Sequence, residues 1–474
     1  MSQHETFFCL KQPGVKLTSW HRRSGETKKK ESQVSQKERA PTREIFGWAM
    51  FDFANSSYTT VIITVVYSVI FTNIIVGDAP DYKLGNLLWS MALIMSYGIV
   101  VITAPIFGAI MDYSATKKKF LFASYVITII FTALLYFVSP GLIILGVILV
   151  ALSNFGFAVG ESFVSSFLPD LGPPEELGKI SGYAWGLGYF GGLASTVLVI
   201  LLGPSTLENF SNLRFVGPIT AVFFLVAAIP TFLFVKERGV AQKLPPGESY
   251  FSIGFKRLAQ TFREIRDFKD LLIFLTAFFF AYSGLAIVIS FAFIYGDQVI
   301  HWSPTSKVIM FVVTQFTAAG GAVLFGFIQD RIGTIKTFNI TLVIWVIAVT
   351  LIFGANEFTD FLNRTFGTSW PSEHVFLFIG CLAGLCLGAT QSASRALVGI
   401  FSPESKSGEF FGFWGLFGKT SSIFGLGALG VMQTQLGLKN SILVCSLFFL
   451  IAFFITLFVN EKRGREMAAS HEGE

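Results

Sequence analysis

The chain has 474 residues, of which 53% are hydrophobic and only 14% are charged, and its formal net charge is +5. This composition, with a mean hydropathy of +0.64, excludes an ordinary soluble globular domain and is typical of a polytopic membrane protein. The positive charge lies in the tails and in alternate loops, so it indicates membrane topology and not a nucleic-acid surface.

Residues 1–43 are polar and basic, and they lack the apolar core of a cleaved signal peptide. They predict a disordered basic cytoplasmic tail. After this tail, apolar runs long enough to cross a hydrocarbon core of about 30 Å recur along the chain. We predict twelve transmembrane helices, over residues 45–76, 87–111, 120–138, 141–167, 181–203, 215–235, 271–296, 305–329, 338–355, 373–399, 410–432 and 438–460.

The first span begins with an unusual polar sequence, Gly-Trp-Ala-Met-Phe-Asp-Phe-Ala-Asn-Ser-Ser-Tyr-Thr-Thr, from Gly47 to Thr60. A carboxylate inside a membrane is costly unless it faces water or a partner. At helical spacing Asp52 shares one face with Trp48, Asn55 and Thr59, which predicts that this face lines a cavity. The alternative is that Asp52 only caps the start of the helix from the interface.

The loops alternate between basic and nearly uncharged sets. Because Lys and Arg are retained on the cytoplasmic side, this pattern predicts that both termini are cytoplasmic. The sequons at Asn209 and Asn363 fall in the opposite set. The basic set consists of residues 117–119, Lys179, residues 236–270, Arg331 with Lys336, Lys406 and residues 462–465.

Residues 236–270 form the one long loop, and they separate an N-terminal six-helix half (44–235) from a C-terminal half (271–460), which a cytoplasmic tail follows (461–474). Within this linker, apolar residues recur at helical spacing and form a stripe along one face of a helix, and basic side chains occupy its other faces. We predict an amphipathic helix that lies on the inner membrane surface and tethers the two halves. The stripe consists of Phe251, Phe255, Leu258, Phe262 and Ile265.

The two halves share sequence features in the same order. Gly156-x-x-x-Gly160 is echoed by Gly384-x-x-x-Gly388, and the segment from Gly108 to Asp112 is echoed by the segment from Gly326 to Asp330, at offsets of about 220 to 230 residues. Several matches at one offset predict a duplicated six-helix unit. Duplicated halves with a site at their interface are typical of alternating-access transporters.

The segment from Gly326 through Asp330 and Arg331 to Lys336 resembles the signature loop of the major facilitator superfamily. The resemblance implies that Asp112, Asp330 and Arg331 form a conformational latch. The first copy of the signature departs from the pattern at Tyr113 and Ala115, which predicts that the latch at Asp112 is the weaker one.

Further segments resemble the vacuole-effluxer branch of this superfamily, which includes fungal autophagy-related proteins implicated in amino-acid export from the vacuole. They are the first-span motif from Gly47 to Ser56, Leu168-Pro169-Asp170, Pro173-Pro174-Glu175-Glu176, the glycine-rich segment from Gly182 to Gly192, the segment from Ser394 to Leu397 and the segment from Glu409 to Lys419. The chain departs from that branch at Val164-Ser165, where a Tyr-Asn pair is common, and before Gly284, where an acid is common.

Three more ionisable residues lie inside spans at a depth similar to that of Asp52, namely Glu161, Arg395 and Lys419. The superfamily fold implies that they converge on a central cavity. Two acids and two bases at one depth can pair as a gate, bind the charges of a zwitterion, or extend toward the interface. The candidate substrate or proton-coupling residues are Asp52, Asn55, Glu161, Gln315, Gln391, Arg395 and Lys419.

No nucleophile with a base, metal-ligand cluster or dinucleotide fingerprint is present in the sequence. Gly418-Lys419-Thr420 lacks the upstream glycine of a phosphate loop, because Phe413 occupies that position. We therefore expect no enzyme activity, no cofactor and no metal.

The leading hypothesis is an all-α, multi-pass secondary active transporter of the major facilitator fold for a small polar solute, with amino-acid efflux and proton coupling as its finer forms. A lipid flippase and a non-translocating sensor are the alternatives. We expect a monomer in the lipid bilayer, in the inner membrane if the source is bacterial and in the vacuolar membrane if it is fungal.

Overall fold

Helices satisfy their own backbone hydrogen bonds, which is why a chain this apolar folds into helices within a membrane. A computed structural model describes residues 38–77, 83–264 and 266–471, and all the regular structure in these residues is helical. The residues from Arg39 onward form one compact unit. Residues 1–37 of the predicted tail lie outside the described residues.

The helices follow the order expected of two halves joined by a linker. The first half contains α1 (Thr42–Val76), α2 (Lys83–Ser114), α3 (Lys117–Leu134), α4 (Ile143–Ser165), α5 (Leu177–Ile200) and α6 (Phe210–Phe234), and the linker contains α7 (Tyr250–Glu264). The second half contains α8 (Lys269–Tyr295), α9 (Pro304–Ile332), α10 (Thr334–Phe353), α11 (Ala355–Phe366), α12 (Ser372–Phe401), α13 (Ser407–Ser441) and α14 (Leu443–Thr456), and α15 (Glu461–Ser470) follows.

Every predicted span lies on a helix of the described part of the chain. Ten helices there are long and apolar enough to cross a membrane, and a pair bent by 62°, Gln435–Ser441 with Leu443–Thr456, adds an eleventh candidate. The remaining predicted span is the part of α13 before Gly437, where φ is 72° and the helix kinks. Its glycines and Lys419 make it less apolar than the other spans.

The first span is less regular than its sequence predicts. Helix α1 is α-helical over Thr42–Ser57 and Tyr67–Ile70 but π-helical over Tyr58–Val65 and Phe71–Val76. The helix predicted over residues 45–76 is present, but its hydrogen-bond pattern changes along the span. No Pro or Gly marks the change, so only packing against the rest of the bundle selects it. Such π-helical turns occur often at functional sites.

Among the described residues, the two most extensive helix contacts between the halves are related by the duplication: α2 packs against α13, and α5 packs against α9. Small residues allow the backbones to approach closely. A Cβ added at Gly108 would lie 2.7 Å from the carbonyl carbon of Gly408. At the related contact, a Cβ added at Gly182 would lie 3.2 Å from the Cα of Gly326.

Both ends of the described chain lie at the same end of the bundle, which we call the termini end; the opposite end is the remote end. Arg39 Nε lies 3.2 Å from Glu176 Oε2, and Arg465 Nη1 lies 2.9 Å from Glu175 Oε1. Glu175 and Glu176 both lie in the loop between α4 and α5, so residues near both ends of the described chain contact the same loop. Most of the predicted C-terminal tail forms α15, and Arg465 connects this helix to the first half.

Candidate functional site

A cavity of about 290 Å³ lies between the two halves. Its lining comes from α1, α4 and α5 of the first half and from α8, α9, α10 and α12 of the second half. It extends from Asp52 to Thr64, Trp302 and Phe376, which belong to the remote end of the bundle. No residue of the termini end that the structure describes lines it, so the cavity reaches toward the remote end only.

The polar face of α1 forms part of the cavity wall. Asp52, Asn55 and Thr59 line the cavity together with Ser56. Trp48 is the exception, because its indole is buried and donates a hydrogen bond to the Val164 carbonyl at 2.7 Å. Asn55 is 8% exposed, and its Oδ1 has no hydrogen-bond partner among the described residues.

Asp52 forms an ion pair with Arg395 across the interface between the halves. Arg395 Nη1 lies 2.6 Å from Asp52 Oδ2, and the side chains are only 2% and 11% exposed respectively. The same guanidinium donates to the hydroxyl and the carbonyl of Ser181, both at 3.1 Å. Its Cζ also lies over the rings of Trp48 and Trp185, at 4.7 and 5.2 Å from their centroids. A residue of α12 is thus held entirely by groups of the first half.

Glu161 forms a second ion pair across the same interface. Lys419 Nζ of α13 lies 3.0 Å from Glu161 Oε2 of α4. The Lys419 ammonium also lies over the rings of Tyr97 and Phe157, 5.4 and 5.9 Å from their centroids. Glu161 lines the cavity, whereas Lys419 lies behind it. Sequence reasoning left the partner of Glu161 open between Arg395 and Lys419, and the structure pairs it with Lys419.

The two predicted glutamines also line the cavity, Gln315 from α9 and Gln391 from α12. The Tyr189 hydroxyl of α5 donates a hydrogen bond to Gln391 Oε1, which is a further polar contact between the halves. The Nε1 of Trp185 is buried without a hydrogen-bond partner among the described residues.

Sequence reasoning missed Ser181, Trp185 and Tyr189 as site residues. They recur every four residues along α5, from just before the glycine-rich segment into it, and this spacing is a signal that could have identified them. The positions at which the chain departs from the vacuole-effluxer pattern do not line the cavity. Ser283 donates a hydrogen bond to the Ser421 carbonyl at 3.0 Å instead.

At the termini end, two carboxylates cap helices of the opposite half. Asp112 of α2 accepts hydrogen bonds from the backbone N–H groups of Gly408 and Glu409, at 3.0 and 2.9 Å. Asp330 of α9 accepts from the N–H of Lys179 at 3.3 and 3.2 Å. Both use the unpaired N–H groups at a helix N-terminus. Arg331 is exposed to solvent at this end.

Asp112 makes shorter contacts than Asp330, although its sequence signature is the less complete one. Ala115 occupies the glycine position of that signature and nevertheless adopts a positive φ of 49°. A third contact strengthens this end: Lys117 Nζ donates to Ser407 Oγ at 2.6 Å and to Asp170 Oδ2 at 3.3 Å. Sequence reasoning treated Lys117 only as a topology charge.

Comparison with known proteins places this geometry in a family context. The family model described as vacuole effluxer Atg22 like matches residues 88–469. The chain is 28% identical over 437 residues to the uncharacterized MFS-type transporter YxiO of Bacillus subtilis, covering 90% of this chain and 97% of that protein. It is 26% identical over 269 residues to autophagy-related protein 22-2 of Aspergillus clavatus, covering 55% of this chain and 44% of that protein.

Solved structures of transporters share the fold, among them a member of the major facilitator superfamily. The proton:xylose symporter XylE aligns with a TM-score of 0.67 at 13% identity, covering 91% of this chain and 98% of that chain. A bacterial homologue of the iron transporter ferroportin, in an outward-facing state, aligns with a TM-score of 0.63 at 13% identity, covering 88% of this chain and 98% of that chain.

Proposed function

The chain belongs to the family of Atg22-like vacuole effluxers within the major facilitator superfamily, and we propose that it is a secondary active transporter that moves a small polar solute by alternating access. It is a multi-pass membrane transporter and not an enzyme. The class of solute, the coupling ion, the orientation in the membrane and the oligomeric state are the parts that we propose here.

The cavity between the halves is the observation on which the proposal rests. It reaches toward one end of the bundle, while the helices α2, α5, α9 and α13 meet at the other end. This is the arrangement of one of the two states that alternating access requires. The volume of about 290 Å³ is near the lower limit of cavities that bind drug-sized molecules, about 300 to 1,000 Å³, and therefore favours a small solute.

Two ion pairs lie at the closed side of the cavity, and they support a solute that carries one negative and one positive charge. Each pair joins one half to the other, so rocking of the halves has to break or exchange it. A carboxylate of the solute can replace Asp52 beside Arg395, and an ammonium group can replace Lys419 beside Glu161. Such an exchange keeps Arg395 and Glu161 paired, and it displaces Asp52 and Lys419, which then have to pair with each other or change their protonation state. An amino acid carries both groups, which supports amino-acid transport as the finer form of the proposal.

Protonation offers a second way to break the same pairs. Neutral Asp52 or Glu161 no longer attracts its cation, so a proton that enters the cavity would favour separation of the halves. We therefore propose these two carboxylates as candidate proton-coupling groups.

We also propose that the termini end is cytoplasmic, because the loops at that end carry most of the Lys and Arg residues. In a bacterial inner membrane the cavity then opens to the outside of the cell. In a vacuolar membrane it opens to the vacuolar lumen. Since one chain encloses the whole cavity, we propose that it functions as a monomer.

Counterflow in proteoliposomes tests the proposal. Vesicles loaded with one unlabelled amino acid should accumulate the same radiolabelled amino acid, and sugars serve as the comparison. Asp52→Asn should abolish the accumulation while the protein stays folded. Saturable binding without flux of any tested solute would support a sensor instead, and headgroup movement of labelled lipids without solute flux would support a flippase.

A further inference from the structure

The linker helix α7 lies against the side of α2 and not beneath its end. A Cβ added at Gly254 would lie 2.7 Å from Ile110 Cγ1 and 3.4 Å from the Ile106 carbonyl oxygen. These two residues precede the end of α2 at Ser114 by four and eight positions, which is about 6 and 12 Å at helical rise. Ile253 is buried beside Gly254. Helix α7 therefore lies at the depth of the outermost turns of a membrane-spanning helix.

The opposite face of α7 is apolar and exposed. Phe251 and Phe255 are 61% and 56% exposed. Each precedes a protein-facing residue, Ile253 or Arg257, by two positions, which is about 200° around a helix. At this depth the side turned away from α2 faces the acyl-chain boundary of the bilayer. The side chains of Leu258 and Phe262, and residue Ile265, which we predicted to extend this stripe, lie outside the described residues.

The third face of α7 carries two exposed basic residues, Lys256 and Arg263, of which Lys256 forms an ion pair with Glu248. Arg266 and Lys269 are exposed beyond α7, with the exposed Asp267 between them. Basic residues beside an exposed aromatic face match the surface of an anionic leaflet, where cations meet headgroups and aromatic rings enter the acyl-chain boundary.

Arg257 connects this helix to the closed termini end. Its Nε lies 2.7 Å from Glu409 Oε1, and the Glu409 side chain is fully buried. The N–H of Glu409 is one of the two groups that Asp112 caps. The Arg257 guanidinium also lies over the Tyr113 ring, 5.7 Å from its centroid. A helix docked on α2 of the first half thus holds the first turn of α13 in the second half.

We propose that α7 is an anionic-lipid-dependent brace, in which insertion of its Phe251 and Phe255 face into an anionic leaflet stabilises the closed termini end through the Arg257–Glu409 ion pair. The two interactions use different faces of one helix, so both are satisfied at the same time. A leaflet that binds α7 in its docked position therefore shifts the equilibrium toward the conformation in which α2 and α13 are in contact. The partner is the lipid surface, which is distinct from the transported solute.

Distance measurements in vesicles test the brace. Lys119→Cys and Lys336→Cys place spin labels on exposed positions of the two halves at the termini end, in a background in which the native cysteines are replaced by alanine. Vesicles of phosphatidylcholine mixed with phosphatidylglycerol should show several-fold more of the short-distance population than vesicles of phosphatidylcholine alone. Soluble glycerol phosphate added to phosphatidylcholine vesicles should not reproduce this increase.

Matched variants separate lipid binding from coupling. Phe251→Ser with Phe255→Ser should remove the dependence on phosphatidylglycerol. The same change at Phe361 and Phe366, which are 60% and 70% exposed on the amphipathic helix α11 at the remote end, should leave it intact. Arg257→Gln should keep α7 on the membrane but remove the effect of lipid on the distance. Equal distance distributions in the two lipid mixtures, or a lipid effect that survives Phe251→Ser with Phe255→Ser, would overturn the proposal.

Discussion

The Asp52 carboxylate and the Arg395 guanidinium lie 2.6 Å apart and join the first span of one half to α12 of the other. Because both groups are buried, loss of one partner leaves a charge without compensation. We expect Asp52→Asn or Arg395→Gln alone to destabilise the protein by about 3 to 5 kcal/mol, and the double variant to be less damaging than the sum of the single variants. Thermal unfolding in detergent, analysed as a double-mutant cycle, measures this coupling.

The control for this cycle is an exposed pair in the same chain. Lys462 and Glu466 lie 3.8 Å apart on α15, with side chains 87% and 66% exposed. Their removal should cost less than about 1 kcal/mol, and the cycle should be additive. An Asp52–Arg395 cycle as additive as this one would contradict the buried-pair interpretation.

Glu161 should couple to Lys419 and not to Arg395. The pair at 3.0 Å is less buried than Asp52 with Arg395, with side chains 22% and 17% exposed, so its coupling energy should be smaller. We expect Glu161→Gln with Lys419→Gln to show non-additive loss of transport. Glu161→Gln with Arg395→Gln, measured in the same vesicles, should be close to additive. A larger coupling energy for Glu161 with Arg395 than for Glu161 with Lys419 would contradict the observed pairing.

Thr59 lines the cavity on the side that reaches the remote end. A cysteine there should react with a membrane-impermeant thiol reagent added from the remote side, in a background without native cysteines. It should react much more slowly when the reagent is added from the termini side, which is closed. Ile102→Cys provides the lipid-facing comparison, because Ile102 is 67% exposed on the outer surface of α2. Equal rates at the two positions would contradict the cavity assignment.

Asp112 should be the stronger of the two latches. It is buried and accepts two N–H groups at 3.0 and 2.9 Å, whereas the N–H contacts of Asp330 are longer. We expect Asp112→Ala to open the termini end more than Asp330→Ala, as measured by the distance between spin labels at positions 119 and 336. The less complete sequence signature around Asp112 predicts the opposite order. Asp112→Asn, which keeps one acceptor oxygen, should have an intermediate effect.

Gly108 should be required for the contact between α2 and α13. An alanine Cβ there would lie 2.7 Å from the carbonyl carbon of Gly408, so the helices have to move apart, at a cost of about 1 to 3 kcal/mol. The same spin-label distance should lengthen in Gly108→Ala. Gly98 belongs to the same helix and has no atom within 4 Å of an added Cβ, so Gly98→Ala should leave the distance unchanged.

Much of the architecture can be predicted from the sequence because it depends on local properties. Apolar length identifies the spans, and the spacing of Asp52, Asn55 and Thr59 identifies the cavity face of α1, since both follow from the geometry of a single helix. The duplicated glycine motifs predict the two halves. The cost of a charge in a membrane singles out Glu161, Arg395 and Lys419 as residues that need a partner.

The choice of partner was decided only by the tertiary structure. Asp52 and Arg395 are 343 positions apart in the chain, and Glu161 and Lys419 are 258 apart, so helical spacing carries no information on which acid meets which base. The hydrogen bonds of Asp112 are made to the N-terminus of a helix in the other half, and the π-helical turns of α1 follow no local residue signal. Local sequence determined which charges enter the membrane, whereas the packing of the two halves determined how those charges are neutralised, because an ion pair depends on distances of a few ångströms that only the assembled bundle sets.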